Sequence, residues 1–163
     1  MSRLIGHVKK EIRLLGLDTC NPRLVVGVVV RGGSFLDGVE TYPRARVRTV
    51  GELAKSILGS KYFPELRAIM IHDPENHIDS SSLRRTTGLP VIEVSVIKRV
   101  NARGYRAYRK ERHEIWTRAD TKASTLRRIL HLSCMMGRLP EPTRIAHLLA
   151  TRAGLPRVSQ GKE

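Results

Sequence analysis

Residues 14–41 decide the fold, and they read LLGLDTCNPRLVVGVVVRGGSFLDGVET. Within them, residues 24–30 form an aliphatic, β-branched run that is typical of a strand buried on both faces. The turn signal at residues 31–34 makes residues 35–41 the returning strand of a hairpin. A shorter apolar strand precedes this hairpin and ends on Asp18. Three strands are therefore predicted before any helix.

The rest of the chain alternates helix and strand patterns. Apolar residues recur at helical spacing in four segments and form short continuous runs in two others. The predicted order is helix 50–58, strand 66–71, helix 78–87, strand 90–97, helix 121–136 and helix 143–153. Alternation of this kind after an antiparallel hairpin predicts an α/β fold with a mixed five-stranded sheet and flanking helices.

The predicted domain organisation has a basic segment at each end. Residues 1–13 form a basic N-terminal segment, residues 14–153 a single domain, and residues 154–163 a basic C-terminal tail. Residues 99–120 differ in character, because seven Arg and Lys side chains alternate there with Tyr and Trp. They are either a solvated helix face or a basic arm or insertion that contacts nucleic acid. The one-sided charge favours the arm.

The charge balance points to a polyanionic partner. The 163 residues carry a formal net charge of +15, and 22 of the 30 basic residues are arginine. The planar guanidinium group matches phosphate oxygens better than the ammonium group of lysine does. Nucleic acid is therefore the first partner to consider, ahead of a basic surface that is merely solvated.

Other classes of protein are disfavoured. The sequence has no run of about 18 apolar residues, no signal-peptide pattern and no amphipathic helix with large apolar anchors. We therefore expect a cytoplasmic protein with no membrane partner. Its two cysteines, Cys20 and Cys134, lack CxxC spacing, so neither a disulfide framework nor a zinc site is indicated. We expect both to be buried or inert thiols.

Four segments in order resemble one family. They are VVGVVVRGGSFLDGV at 25–39, SKYFPELRAIMI at 60–71, TGLPVIEV at 87–94 and GRLPEPTRIAHLLA at 137–150. These segments are similar to the archaeal endonuclease dU family, also called domain of unknown function 99 or UPF0215, which is related to endonuclease V. The resemblance covers most of residues 16–150, except roughly 101–124. It implies a ribonuclease H-like fold and Mg²⁺-dependent cleavage of nucleic acid near deaminated bases.

The resemblance also implies three carboxylate positions that would hold Mg²⁺. At the first, Asp18-Thr19-Cys20 stands where the family has Asp-Asp-Gly, so one acid remains. At the second, residues 45–48 read Ala-Arg-Val-Arg instead of Asp-Gly-x-Asp. At the third, residues 76–79 keep the Asn-x-x-Asp ending, and Asp73 lies one residue after the expected strand-end acid.

This pattern predicts a degenerate site. Arg46 and Arg48 would repel a cation at the position where the family binds one. We therefore expect no cofactor and lost catalysis. If activity remains, Asp18 and Asp73 are the catalytic and Mg²⁺-binding residues, with help from Glu75 or Asp79.

Other matched residues receive structural interpretations. Asp37 matches the family but follows a turn at the opposite end of the sheet from Asp18, so it fits a turn or hairpin-cap role. His147 and Arg144 match the terminal motif, and a histidine on an apolar helix phase is usually a packed residue. A metal cluster of His72, His77 and Asp73 is the less favoured interpretation of those side chains.

Three functions stay open. The favoured one is binding of structured RNA, with ribosomal RNA as a candidate, through Arg44, Arg46, Arg48, Arg99, Arg103, Arg106, Arg109, Lys110 and Arg112. The low aromatic content, 4%, disfavours a single-strand stacking platform. The alternative is a Mg²⁺-dependent endonuclease acting on DNA or RNA. The third is a docking role for helix 143–153, whose apolar stripe of Ile145, Leu148 and Leu149 is normally core packing.

Overall fold

A single sheet of seven strands runs through the described part of the protein, in the order β3-β2-β1-β4-β5-β7-β6. The computed structural model describes residues 7–99 and 103–153. The strands are β1 (Arg13–Asp18), β2 (Leu24–Arg31), β3 (Phe35–Pro43), β4 (Leu66–His72), β5 (Val91–Ser95), β6 (Arg106–Lys110) and β7 (His113–Ala119). The helices are α1 (Val50–Leu58), α2 (Ser80–Thr87), α3 (Ala123–Ser133) and α4 (Glu141–Arg152), with a 3₁₀ turn at Phe63–Glu65. The mixed α/β architecture is confirmed.

The strand count corrects the predicted five-stranded sheet. The two additional strands lie in residues 99–120, where β6 and β7 form an antiparallel hairpin at the edge of the sheet. Tyr108 pairs with Ile115, and both pack on the core side, which anchors an otherwise basic hairpin. Few other apolar side chains mark this alternation, so the charge pattern hid the strands. Residues 1–6 of the predicted basic segment 1–13 and the predicted tail 154–163 lie outside the described residues, whereas Val8 and Ile12 of that segment are buried in the core.

Capping interactions set the limits of the first two helices. Thr49 and Glu52 form a reciprocal capping box at the start of α1, in which the Thr49 hydroxyl accepts from the Glu52 amide at 3.1 Å. Asp79 caps α2 by accepting from the amides of the next turn, and Gly88 ends α2 in the left-handed conformation at φ 72°. Both helices agree with the sequence prediction within two residues at each end.

The third helix is shorter than the periodicity predicted. It ends at Ser133 and leaves Met135 and Met136 exposed, so Gly137 is not its terminator. The ammonium group of Lys110 donates to the Cys134 carbonyl at 2.6 Å and the His131 carbonyl at 3.2 Å. A cation at this position satisfies carbonyls that have no partner inside the helix.

The sheet separates two apolar layers. Alternate residues of a strand point to opposite faces, so Leu15 and Leu17 pack under α1 and α2, whereas Leu14 faces α3. The valines of β2 pack against both layers, as predicted for a strand buried on both faces. Asp18 shares the face of Leu14, so its side chain points toward the layer that contains α4.

The start of α4 lies directly on the backbone of β1. A Cβ atom at Gly16 would come within 2.2 Å of the Pro142 carbonyl carbon, so only glycine permits this approach. Ala146 and Ala150 bury the helix against β2. The predicted stripe is therefore not the buried one, because Ile145 packs on the core but Leu148 and Leu149 are exposed.

Asp37 has a structural role, but as an ion-pair partner within the sheet and not as the predicted turn or hairpin cap. Its carboxylate forms ion pairs with Arg13 of β1 at 2.7 Å and Arg31 of β2 at 3.3 Å, which join the edge strand β3 to β2 and to the strand beyond it. This contact lies at the opposite end of the sheet from Asp18. No helix in the described part of the chain is long and apolar enough to cross a membrane.

Candidate functional site at the ends of β1 and β4

Two neighbouring strands end at the candidate site. Because β1 and β4 run parallel with Asp18 opposite His72, their last residues lie side by side at one end of the sheet. The Asp18 side chain has no exposed surface, and His72 is 6% exposed. The helix α4 covers this face and brings a third side chain, His147.

One carboxylate oxygen of Asp18 meets two imidazoles. Asp18 Oδ2 lies 2.6 Å from Nδ1 of His72 and 3.0 Å from Nδ1 of His147. The two rings meet edge to face with centroids 4.9 Å apart. The other oxygen of Asp18 accepts a hydrogen bond from the Cys20 amide at 2.9 Å. Three chain segments therefore converge on one buried acid.

These contacts keep Asp18 ionised. Burial alone would raise the pKa of Asp18, but the hydrogen bond with His72, the Cys20 amide and the charges of both histidines outweigh it. The pKa of Asp18 is therefore lower than its ordinary value. At neutral pH, the site holds a buried negative charge that is matched by imidazole donors.

Cys20 completes the cluster. One donor atom from each of Asp18, Cys20, His72 and His147 lies within 4.8 Å of the others. The Cys20 sulfur is 3.9 Å from Nδ1 of His72. Desolvation, followed by the negative charge of Asp18, raises the pKa of the Cys20 thiol to about 12. In contrast with Cys134, which is buried in the core, Cys20 is exposed.

The loop after β1 is held rigidly in place. The Asn21 amide donates to the Ala150 carbonyl of α4 at 2.9 Å, and its oxygen accepts from the amides of Arg23 and Leu24. Arg44 donates to the carbonyls of Thr19 and Asn21 at 2.6 and 3.0 Å. Arg44, predicted to bind nucleic acid, is thus half-buried and supports the loop beside Asp18.

Asp73 takes a different position from the one predicted. Its carboxylate accepts from the Thr19 hydroxyl at 2.6 Å and the Ile78 amide at 2.7 Å, and lies 3.4 Å from His77. These contacts hold the loop between β4 and α2, and Asp73 is not among the four clustered donors. The less favoured metal cluster of His72, His77 and Asp73 is not formed. His77 contacts Asp73 and Glu75, whereas His72 contacts Asp18.

The predicted nucleic-acid-binding residues fall into two groups. Some are engaged by the protein itself: Arg99 donates to the Pro74 carbonyl, Arg109 pairs with Glu114, and Lys110 binds the end of α3. Others present exposed guanidinium groups that form no ion pair among the described residues, namely Arg46, Arg48, Arg103, Arg106 and Arg112, and of these Arg48 donates to the nearby Ala45 carbonyl at 3.2 Å. Arg46 and Arg48 occupy the loop between β3 and α1, next to Arg44.

Sequence reasoning missed the role of His147 and Cys20. Two features of the sequence could have indicated the cluster. Cys20 follows the strand-end acid Asp18 by two residues, and His72 ends the neighbouring parallel strand. The approach of His147 had no local signal, because 129 residues separate it from Asp18. Only the packing of α4 on β1 brings them together.

The donors fit Mg²⁺ poorly. Magnesium requires near-octahedral oxygen ligands, and this cluster offers one carboxylate, two imidazoles and a thiol. The second and third carboxylate positions implied by the family resemblance supply no oxygen to the cluster. The side chains present therefore do not reproduce a Mg²⁺ site.

The curated relatives identify the family. No family model matches the chain. A UPF0215 protein of Methanopyrus kandleri is 33% identical over 186 residues, which cover 90% of this chain and 93% of the relative. A UPF0215 protein of Methanothermobacter thermautotrophicus is 31% identical over 185 residues, with 89% of each chain covered. The chain belongs to the UPF0215 family, as the resemblance indicated.

Solved structures share the fold. An Archaeoglobus fulgidus protein of unknown function matches with a TM-score of 0.66 at 23% identity, over 86% of this chain and 96% of the other. Human endonuclease V matches with a TM-score of 0.60 at 13% identity, over 87% and 84%. Marinitoga piezophila Argonaute, solved with a guide RNA, gives 0.62 at 13% identity over 88% of this chain and 30% of that one. The ribonuclease H-like fold is therefore confirmed.

Proposed function

We propose that the protein binds nucleic acid through arginine contacts to phosphates, prefers structured RNA, and no longer cleaves it. The observation that carries this proposal is the unequal use of the two charge signs within the fold. Among the described residues, every acidic side chain except Glu11 and Glu111 has an ion pair or a hydrogen bond. The positive surplus therefore remains at the surface.

The loop between β3 and α1 is the favoured contact surface. Arg46 and Arg48 are exposed there, and Arg44 fixes the loop next to the end of β1. Guanidinium groups at this end of the sheet can approach a phosphate backbone directly, where a carboxylate site would need a metal ion in between. Arg103, Arg106 and Arg112 form a second exposed basic group around the β6–β7 hairpin, at the other edge of the sheet.

The preference for structured RNA rests on what the surface lacks. Tyr105 is half-buried and its ring lies 4.7 Å from the Arg118 guanidinium carbon, while Trp116 is half-buried near Lys98. Such rings are already engaged and do not form a row of free stacking platforms. Backbone recognition of a folded RNA agrees better with this surface. Argonaute, which shares the fold, was solved with a guide RNA. Ribosomal RNA is a candidate partner on charge and size alone.

A metal-dependent endonuclease is the second candidate function. The observation in its favour is Asp18, an ionised carboxylate at the end of a central strand with two imidazoles beside it. Against it stands the poor fit of the cluster to Mg²⁺. Activity on DNA or RNA near deaminated bases would require the altered site to bind its metal through donors other than the family's carboxylates.

The test measures binding and cleavage together. A labelled RNA hairpin, a uracil-containing DNA duplex and an unstructured single strand are titrated with the protein, with Mg²⁺ or with EDTA. Anisotropy reports binding, and a denaturing gel reports cleavage in the same samples. We expect metal-independent, salt-sensitive binding that is tightest for the hairpin, without nicking.

Matched variants locate the surface. Arg46→Ala/Arg48→Ala should weaken hairpin binding and lower the salt slope by about 2, because each lost phosphate contact lowers it by about 1. Lys55→Ala/Arg67→Ala removes two exposed charges elsewhere and should leave binding nearly unchanged. Equal losses in both variants would contradict the assigned surface. Mg²⁺-dependent nicking that disappears in Asp18→Ala would replace the binding proposal with the endonuclease.

A further inference from the structure

The four clustered donors form a mixed set of nitrogen, sulfur and oxygen atoms. Asp18, Cys20, His72 and His147 come from the end of β1, the following loop, the end of β4 and helix α4, respectively. Two imidazoles, one thiol and one carboxylate are borderline-soft donors, and four such ligands in a tight cluster are typical of zinc. Hard cations such as Mg²⁺ and Ca²⁺ prefer oxygen ligands only.

We propose that these four residues bind one Zn²⁺ ion in tetrahedral coordination, at the place where the family resemblance implies Mg²⁺. The imidazoles bind through the lone pairs of Nδ1, which requires that each neutral ring carries its proton on Nε2, and the thiol loses its proton to solvent when its sulfur becomes a ligand. The Asp18 carboxylate gives up its two hydrogen bonds with the imidazoles and binds the ion instead. Zinc is not redox-active, so no oxidant or reductant is involved.

The distances are close to those that coordination requires. Ligand atoms around a tetrahedral Zn²⁺ lie about 3.3–3.6 Å from one another, given typical zinc–nitrogen and zinc–sulfur bond lengths. In the structure the corresponding separations are 2.6 Å from Asp18 to His72, 3.0 Å from Asp18 to His147 and 3.9 Å from Cys20 to His72. Shifts of less than about 1 Å in these three pairs, and of at most about 1.5 Å in the remaining pairs, which lie within 4.8 Å, would accommodate the ion.

Supporting contacts hold the donors from outside the cluster. The Asn21 side chain ties the loop that carries Cys20 to Ala150 in the last turn of α4, and the preceding turn of the same helix carries His147. The Thr19 amide and hydroxyl bond to the His72 carbonyl at 3.3 Å and the Asp73 carboxylate at 2.6 Å. Such contacts fix ligand orientation in metal sites. They also give Asp73 a supporting role in place of the ligand role predicted for it.

An ion can reach the cluster from solvent. Cys20 is exposed, and the His147 side chain is 36% exposed, whereas Asp18 and His72 form the buried floor. A hydrogen-bonded Asp–His pair alone would not require a cysteine sulfur at the same point. The presence of Cys20 therefore favours a metal site over a purely structural arrangement, and the proposal departs here from the expectation drawn from cysteine spacing alone.

The test replaces zinc by cobalt, whose spectrum reports its ligands. Metal-stripped, reduced protein is titrated with Co²⁺ and then with Zn²⁺. We expect one equivalent of Co²⁺ to give intense visible bands of four-coordinate cobalt and an ultraviolet thiolate charge-transfer band, both removed by one equivalent of Zn²⁺. Mg²⁺ in large excess should remove neither.

Variants at the two accessible donors test the assignment. Cys20→Ser should abolish the thiolate band, and His147→Ala should weaken Co²⁺ binding by roughly tenfold or more, as losing even a supporting contact often does. Cys134→Ser and His77→Ala serve as controls that should leave spectrum and affinity unchanged. Circular dichroism verifies folding, and Cys20→Ala or His147→Gln replaces any variant that fails to fold.

Two results would overturn the proposal. One is the absence of stoichiometric Co²⁺ and Zn²⁺ binding by the wild-type protein. The other is a thiolate band that survives in Cys20→Ser or disappears in Cys134→Ser. Zinc binding does not require nucleic acid, so the metal titration and the RNA titration succeed or fail independently.

Discussion

At Asp18, three hydrogen-bond donors meet a carboxylate that has no exposed surface. An isolated buried carboxylate would take up a proton, because desolvation penalises the charged form. The imidazoles of His72 and His147 and the Cys20 amide reverse that preference and lower the pKa of Asp18. The Asp18 charge therefore depends on these hydrogen-bond donors. Because they are buried with it, loss of the charge should destabilise the fold.

Replacing Asp18 tests this dependence. In metal-free buffer at neutral pH, Asp18→Asn should be less stable by about 2–3 kcal/mol, because charge-assisted hydrogen bonds contribute about 1.5–3 kcal/mol each and the amide retains some of them. A group with a lowered folded pKa stabilises fully above its unfolded value, here 3.8, and loses that contribution as the pH falls through the folded value. Urea unfolding from neutral pH down through 3.8 measures both effects.

The pH profile of the variant separates Asp18 from the other acids. Asp18→Asn should lose less stability across the acid range than the wild type does. Glu75→Gln, which removes an exposed acid near the site, should keep the wild-type profile. Identical profiles for all three proteins would mean that Asp18 is not the ionised group described.

Helix α4 is the element on which the site depends. Its backbone at Pro142 touches β1 where Gly16 has no side chain, and this contact sets the height of the helix above Asp18. Close packing of this kind tolerates little extra volume. The position of His147 is therefore fixed by a glycine that forms no polar contact with the site.

Two glycine substitutions should change stability in opposite directions. Gly16→Ala should destabilise the protein by about 1–3 kcal/mol, because its methyl group would overlap the Pro142 backbone. Gly51→Ala on α1, where the nearest atom is 3.7 Å away, should stabilise it by about 0.5 kcal/mol through helix propensity. Denaturant unfolding measures both variants. Equal effects would contradict the close approach of α4 to β1.

The molecule as a whole has a large excess of positive charge. Acidic side chains are used within the fold as caps and ion-pair partners, whereas surplus arginines remain at the surface of a chain with a net charge of +15. A field of this sign attracts phosphate backbones over distances up to the Debye length. Binding to nucleic acid should therefore be governed by counterion release.

The proposed RNA binding should be steeply salt-dependent. If six or more phosphates are contacted, hairpin affinity should fall by about 1,000-fold between 50 and 200 mM salt, with a straight line in the log–log plot. The measurement is anisotropy at several salt concentrations with EDTA present. A nearly flat plot would show that charge does not drive binding and would contradict the role given to the surface arginines.

Much of the fold could be predicted from local patterns. Several elements are determined by residues inside them or next to them. Examples are the valine run of β2, the capping residues Thr49 and Asp79, and Gly88 in the left-handed conformation. The β6–β7 hairpin was missed because its core contacts rest chiefly on Tyr108 and Ile115 among many charges. Helix limits were least certain where capping was weak, as at the end of α3.

The candidate site could be predicted only in part. Asp18 was found because a strand-end acid has a clear local signature. The clustering of His72 with His147 depends on strand order and on the seating of α4, and neither leaves a local trace in the sequence. Asp73 was expected to stand in for a missing acid, but its position one residue later directs it to Thr19 and Ile78 instead.

The separation of Asp18 from His147 along the chain has a consequence for biosynthesis. The two residues are 129 positions apart, and Asn21 and Ala150 are separated by the same interval. At a translation rate of about 5–20 residues per second, roughly 6–26 s pass between the synthesis of Asp18 and the synthesis of His147. A nascent chain therefore displays Asp18 and Cys20 without their cover, and a messenger that ends before α4 would yield a sheet without this site.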